Sequence, residues 1–182
     1  MKLKKKGLSG ITLVELLIAS LVATVIGAAI VIVFISGQNS FVVGTNLLEI
    51  HADARLAMEW IARDVQWTNQ ILANINIGGT TYTSGASEVV LSVPSVNAGD
   101  IVTGSFDSIV YTLNGTNLMR LVVPDAASSR LRSSDIIANN INNLQFGAGV
   151  DSIAVSLTAQ KTVLGARVLS ETLNLLIKMR NS

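Results

Sequence analysis

Hydrophobic and polar positions divide the chain into three regimes. Residues 1–10 are polar and basic, with Lys2, Lys4, Lys5 and Lys6 ahead of Gly7 and Gly10. From Ile11 to Ile35 the chain is apolar almost without interruption, and Glu15 is the one charged residue in that run. A membrane-crossing helix needs about 20 apolar residues, so this run is long enough. An acid placed inside a membrane span is costly, and such residues are by default functional groups in search of a partner. After Phe41 the pattern turns amphipathic: Leu47, Ala54, Met58, Ile61, Val65 and Leu72 recur at helical spacings and share one face. No proline interrupts residues 11–73, which predicts one long helix that is apolar all round in its first half and docks one face on a sheet in its second. Gly27, Gly37 and Gly44 are its weak points.

Beyond the helix the pattern becomes that of short strands. Residues 74–87 are rich in Gly, Thr, Ser and Asn and read as a loop broken at Gly78-Gly79. Residues 88–93 form a β-rich run stopped by Pro94. Runs at 108–113 and 118–123 flank Asn114-Gly115-Thr116-Asn117, and an Asn-Gly between two β runs is a strong hairpin signal. The same residues spell a glycosylation sequon, which the turn explains without a sugar. Residues 125–143 read as a polar connection with a short helical turn near Ile136-Ile137. Strands follow at 144–146, 152–159 and 168–179; in the second, Ile153, Val155 and Leu157 alternate with small or polar residues. The expected fold class is α+β, a long helix laid across an antiparallel sheet. Its expected parts are a leader at 1–10, a membrane or filament-core helix at 11–35, its amphipathic continuation at 36–73 and a sheet domain at 74–182.

Cutting after Gly10 would place a free amine on Ile11 with Glu15 as the fifth residue, about 6 Å further along a helix axis. That separation suits pairing between staggered neighbours better than pairing within one chain. Ser9-Gly10-Ile11-Thr12-Leu13-Val14-Glu15-Leu16-Leu17 closely resembles the leader and helix start of type IV pilins and type II secretion pseudopilins. Ile11 departs from the Phe or Met usual at the first mature position. The resemblance implies that a prepilin peptidase cleaves between Gly10 and Ile11 and methylates the Ile11 amine, and that Glu15 aligns subunits by charge pairing. It implies as partners the peptidase, other pilins through the N-terminal helix, an inner-membrane assembly platform and membrane lipid. It places the N-terminus in the cytoplasm and the globular part outside, in keeping with the lysine cluster and the positive-inside rule.

Looser likenesses extend along the chain. Asp64-Val65-Gln66, Tyr111-Thr112-Leu113 with Leu118-Met119-Arg120, Ile137-Ala138-Asn139-Asn140 with Leu144-Gln145-Phe146, and the closing Arg180-Asn181 are similar to minor pilins of the W type and pseudopilins of the J type. They imply a low-abundance subunit that primes or caps a filament, as does the missing C-terminal disulfide loop of many major pilins. A tip protein for adhesion or DNA uptake, and an anchored domain that never polymerises, are alternatives on the same scaffold. A secretory signal peptide cut near Ser20, Ala23, Ala28 or Ala29 is another reading of the first region, and Glu15 at its head fits it poorly.

Composition narrows the chemistry. The chain has 182 residues, no cysteine and a formal net charge of +1. Removing the four leader lysines takes that to −3, without the basic footprint nucleic-acid binding normally requires. There is no phosphate loop and no dinucleotide-binding glycine pattern, and no cysteine or histidine cluster suited to zinc. His51, the single histidine, falls in the apolar register and reads as structural, as do Trp60 and Trp67. Asp100 and Asp107 flank a glycine-containing loop where calcium could bind, but that ion wants six to eight oxygens, and two loop carboxylates are normally just solvated. The expectation is therefore no catalytic residue, no cofactor and no metal.

Overall fold

The computed structural model describes residues 11–149 and 151–179. The leader 1–10, with Gly10, and the closing 180–182 lie outside them. The described residues fall into two compact units, one ending at Val43 and the other beginning at Gly44. A single helix, α1 (Leu13–Gln66), runs through both.

In the first unit α1 is exposed over nearly all of its length. No residue from Ile11 to Glu49 is buried, and only Val43 and Asn46 are even half-buried. The helix is long and apolar enough to cross a membrane. Three of its hydroxyls are satisfied internally: Ser20 donates to the Leu17 carbonyl at 2.9 Å, Thr24 to Ser20 at 2.8 Å and Ser40 to Ser36 at 2.9 Å. A hydroxyl so bonded can enter lipid without an orphaned donor.

In the second unit the amphipathic half of α1 packs on antiparallel sheet, an α+β layout. Ile50, Ala54, Ala57, Met58, Ile61, Asp64 and Val65 are its buried residues. The stripe thus includes Ala54, Met58, Ile61 and Val65 as the spacing predicts. Leu47 is exposed instead, and Leu72 has left the helix for a strand. Leu56 and Trp67 are exposed as well, so they do not widen the core. Trp60 is half-buried, its ring beneath the Arg63 guanidinium at 3.8 Å and near that of Arg120 at 5.1 Å.

The helix ends at Gln66, earlier than the pattern suggests. Trp67 N–H and Thr68 N–H reach back only three residues, to Asp64 and Val65, which tightens the last turn. Thr68 Oγ1 donates to the Asp64 carbonyl at 2.8 Å, and Asn69 N–H then bonds Ser92 O at 2.8 Å. Sheet pairing takes over the residues that helical periodicity would have continued.

Ten strands follow: β1 (Gln70–Leu72), β2 (Asn74–Ile77), β3 (Thr80–Thr83), β4 (Val89–Asn97), β5 (Asp100–Asn114), β6 (Asn117–Val123), β7 (Ser133–Ala138), β8 (Ile141–Ala148), β9 (Ser152–Val163) and β10 (Arg167–Lys178). They form a five-stranded sheet in the order β1-β4-β5-β6-β7, a three-stranded sheet β10-β9-β8 and the hairpin β2-β3, with antiparallel pairing throughout.

Several expectations are corrected. The supposed loop at 74–87 contains β1's neighbour, the β2–β3 hairpin, which turns on Gly78 and Gly79 at φ +59° and +91°. Two positive φ values in a two-residue loop are what a twisted hairpin favours, and glycine supplies them without a Cβ penalty. Pro94 does not stop β4: a register shift between Pro94 and Val96 absorbs its missing N–H and the strand runs on to Asn97. Asp100–Asp107 is no loop but the first half of β5. Ile136 and Ile137 lie in β7, not in a helical turn. The β5–β6 hairpin forms as expected, with Asn114 paired to Asn117, so its two loop residues are Gly115 and Thr116 and only Gly115 has positive φ, +64°.

Candidate functional site

At the start of α1, Thr12 is the residue before the helix and Glu15 lies three positions on. Thr12 N–H donates to Glu15 Oε2 at 2.9 Å, and Thr12 Oγ1 donates to the same oxygen at 3.0 Å. Glu15 N–H donates in return to Thr12 Oγ1 at 3.2 Å. This reciprocal arrangement is a capping box, and it satisfies backbone donors that a helix N-terminus otherwise leaves without partners. Glu15 remains exposed, as does Ile11, at 78%. The single charge in the apolar run is therefore held in one conformation by a local clamp and still faces outward. The Thr-x-x-Glu spacing that signals the box is legible in the sequence, although the carboxylate alone drew attention there.

The second unit is organised around two buried carboxylates. Asp64 lies in the last turn of α1, 6% exposed. Its Oδ2 accepts from Tyr111 Oη on β5 at 2.6 Å and from Arg120 Nε on β6 at 2.6 Å. Burial, and then the Asp64 carboxylate, push the Tyr111 hydroxyl far above its ordinary pKa, so it remains a donor. Burial alone would lower the Arg120 pKa; the bond to Asp64 reverses this and holds the guanidinium charged. Three stretches separate in sequence, and each singled out there as a loose likeness, meet at this carboxylate.

Asp107, fully buried on β5, is the second. Its Oδ1 accepts from Ser95 Oγ at 2.8 Å and Asp125 N–H at 2.9 Å; its Oδ2 accepts from Ser128 Oγ at 2.9 Å and Arg130 Nη1 at 2.6 Å. Arg130 also donates to the Pro94 carbonyl at 2.7 Å, so the segment after β6 is strapped to β4 and β5. Both carboxylate oxygens are thus committed to donors, and a calcium ion would have to displace a guanidinium. Asp100 lies seven residues away, at the other end of the segment. Among the described residues no three acidic, His or Cys side chains gather as a metal site.

Burial alone raises the Asp107 pKa; its donors, the Asp125 N–H foremost, more than offset this and leave it below the ordinary carboxylate value. A depressed native pKa stabilises the fold fully above the unfolded pKa of about 3.9, and that contribution drains away as pH falls through the native value. Urea midpoints of the parent should therefore drop steeply below about pH 4, and those of Asp107→Asn should drop less over the same interval. Equal slopes for the two proteins would refute the assignment.

His51 meets Glu171 of β10, whose buried Oε2 sits against His51 Nδ1, so the histidine serves the helix–sheet seam. Beside it, Asn140 Nδ2 donates to Asp53 at 2.8 Å, and Lys161 Nζ bonds Glu49 at 2.7 Å. Glu49 and Asp53, one helical turn apart, repel each other, and these donors from the sheet side relieve it.

No family model, curated protein or solved structure matches the chain.

Proposed function

We propose that the protein is a minor pilin or pseudopilin, a structural subunit that is the substrate of a prepilin peptidase and itself catalyses nothing. The observation that carries this reading is Glu15: one charged residue in an exposed apolar helix, clamped by Thr12 and five residues beyond a glycine that ends a lysine-rich leader. The support is the junction sequence, the internal satisfaction of three helix hydroxyls, and the long helix whose second half packs on sheet. In this reading cleavage at Gly10–Ile11 and methylation of the Ile11 amine leave the subunit in the cytoplasmic membrane with its sheet unit outside. An assembly platform then moves α1 from lipid into contact with neighbouring pilin helices. Glu15 pairs with an adjacent Ile11 amine and sets the stagger, a use of buried charge better attested than net stabilisation. The helper role, priming or capping a pilus or secretion pseudopilus, follows from the W-type and J-type likenesses.

The deciding experiment is intact mass and N-terminal sequencing of the chain from membranes that contain or lack a prepilin peptidase. The expected product begins at N-methylated Ile11 only where the peptidase is present. A chain that keeps its lysines in both, or is cut near Ala28, overturns the reading.

A further inference from the structure

The three-stranded sheet has an inner and an outer face, and the two differ in kind. Alternation along the strands turns Leu144, Ile153, Val155, Leu157 and Ile177 inward, and all five are buried. Lys161 and Glu171 share that face and meet Glu49 and His51 on α1. The alternate positions of β8, β9 and β10 face outward, and Lys178 near the end of β10 carries the one charge among them.

Register sets the outward positions in rows across the strands. Gln145, Ser156 and Asn174 form one row, and Gly147, Ala154 and Leu176 form the next. Between the two rows lies a shallow groove of about 440 Å³, floored by the intervening residues Phe146, Val155 and Leu175, whose side chains belong to the opposite face. Rows two residues apart are separated by about 7 Å, and three strands give the groove a length of about 10 Å.

The walls are unlike each other. One offers two amides and a hydroxyl, and among the described residues none of these side chains bonds within the chain. In the row beyond it, by contrast, the Thr158 and Thr172 hydroxyls satisfy each other at 2.9 Å. The other wall is apolar: Leu176 is 67% exposed, and a Cβ added at Gly147 would stand 3.6 Å from the Ala154 Cβ and narrow the groove. A concave site with a few convergent polar groups beside apolar surface is the usual form of a small-ligand site. An amide presents a donor and an acceptor side by side, and a hydroxyl offers both from one atom. Neighbouring hydroxyls of a sugar match that set, and the C–H face of its ring matches the apolar wall. A charged ligand would meet no countercharge in either wall and would lose hydration without return.

We propose that this groove binds neutral carbohydrate, a run of uncharged sugar rings laid across β8, β9 and β10. The proposal uses only the sheet unit and holds whether or not α1 enters a filament. A site this shallow binds weakly, so many copies on one surface are needed to retain a glycan.

The test places full-length chain in phosphatidylcholine vesicles and passes them over immobilised cellohexaose, maltohexaose, mannohexaose and chitohexaose, with hexagalacturonate as the acidic comparison. At least one neutral sugar should retain the vesicles, the same free sugar should compete, and raising the salt should change nothing. Gln145→Ala with Asn174→Ala should weaken retention at least about tenfold, the loss expected from two hydrogen bonds. Ala154→Phe, which fills the groove, should abolish it, and Lys178→Ala should leave it unchanged. Urea midpoints of the double alanine variant should match the parent, because those amides hold nothing together within the chain. Failure of all four neutral sugars to retain the vesicles would overturn the proposal. So would retention by hexagalacturonate alone, or retention that the groove variants leave intact.

Discussion

Asp64→Ala is expected to cost the second unit about 3–5 kcal/mol of folding stability, the range found when one partner of a buried ion pair is removed. The loss has two parts. Arg120, with 15% of its side chain exposed, keeps its charge and has no carboxylate left to meet it. Tyr111, fully buried, keeps a hydroxyl whose acceptor is gone. Tyr111→Phe removes only the second part and should cost about 1 kcal/mol, since Asp64 still has Arg120. Replacing Asp64 by Leu together with Arg120 by Met leaves no orphaned charge and should cost less than Asp64→Ala alone. Urea unfolding of the four proteins gives a double-mutant comparison. If Asp64→Ala unfolds at the parent's midpoint, the cluster is not what joins the end of α1 to β5 and β6.

Glu15→Ala should separate assembly from folding. The carboxylate belongs to the first unit and bonds Thr12 at the helix start. The thermal midpoint of the sheet unit should therefore stay at the parental value, and the chain should still enter the membrane, since the change removes the one charge from an apolar run. Incorporation into filaments should fall about tenfold, within the usual range for coupling between two binding events. Glu15→Gln is the informative companion. An amide oxygen can still accept from Thr12 and preserve the helix start, but it cannot pair with an amine as a charge. If Glu15→Gln assembles like the parent, the local clamp is what matters and the pairing between subunits is not. If Glu15→Ala itself enters filaments as well as the parent, the proposed role of the residue is wrong.

The parts of the fold that could be read from the sequence are those set by local chemistry. The long helix follows from an unbroken apolar run without proline, and the β5–β6 turn from a glycine that accepts positive φ. Strand β9 follows from alternation; β10, where Leu169, Leu173 and Leu176 would also suit a helix, follows only from its place at the end of a sheet domain. The parts misread depend on distant partners. α1 ends at Gln66 because Ser92 offers Asn69 a carbonyl, and nothing near residue 69 announces that. Residues 133–138 become a strand because β6 lies beside them, although their polar start suggested a connection. Asp107 resembled a solvated loop acid because its donors lie twelve residues behind it and eighteen to twenty-three ahead. Of the candidate site, Glu15 was legible at once, since a charge in an apolar run needs no context to stand out. The Asp64 cluster was not, because its partners lie forty-seven and fifty-six residues further along the chain.

The Asp107 strap has a bearing on how this chain can vary over time. Four donors from β4, from the residue after Pro124 and from the Ser128–Arg130 stretch share two oxygens. Loss of the aspartate would take an acceptor from all of them at once, whereas loss of one serine leaves three. Drift at this locus is therefore expected to be lopsided: Ser95 and Ser128 can be exchanged for other small hydroxyl or amide residues one at a time, while position 107 and position 130 can change only as a couple. In a set of diverged sequences, the pair would appear as a correlated substitution across a gap of twenty-three residues, readable without any structure.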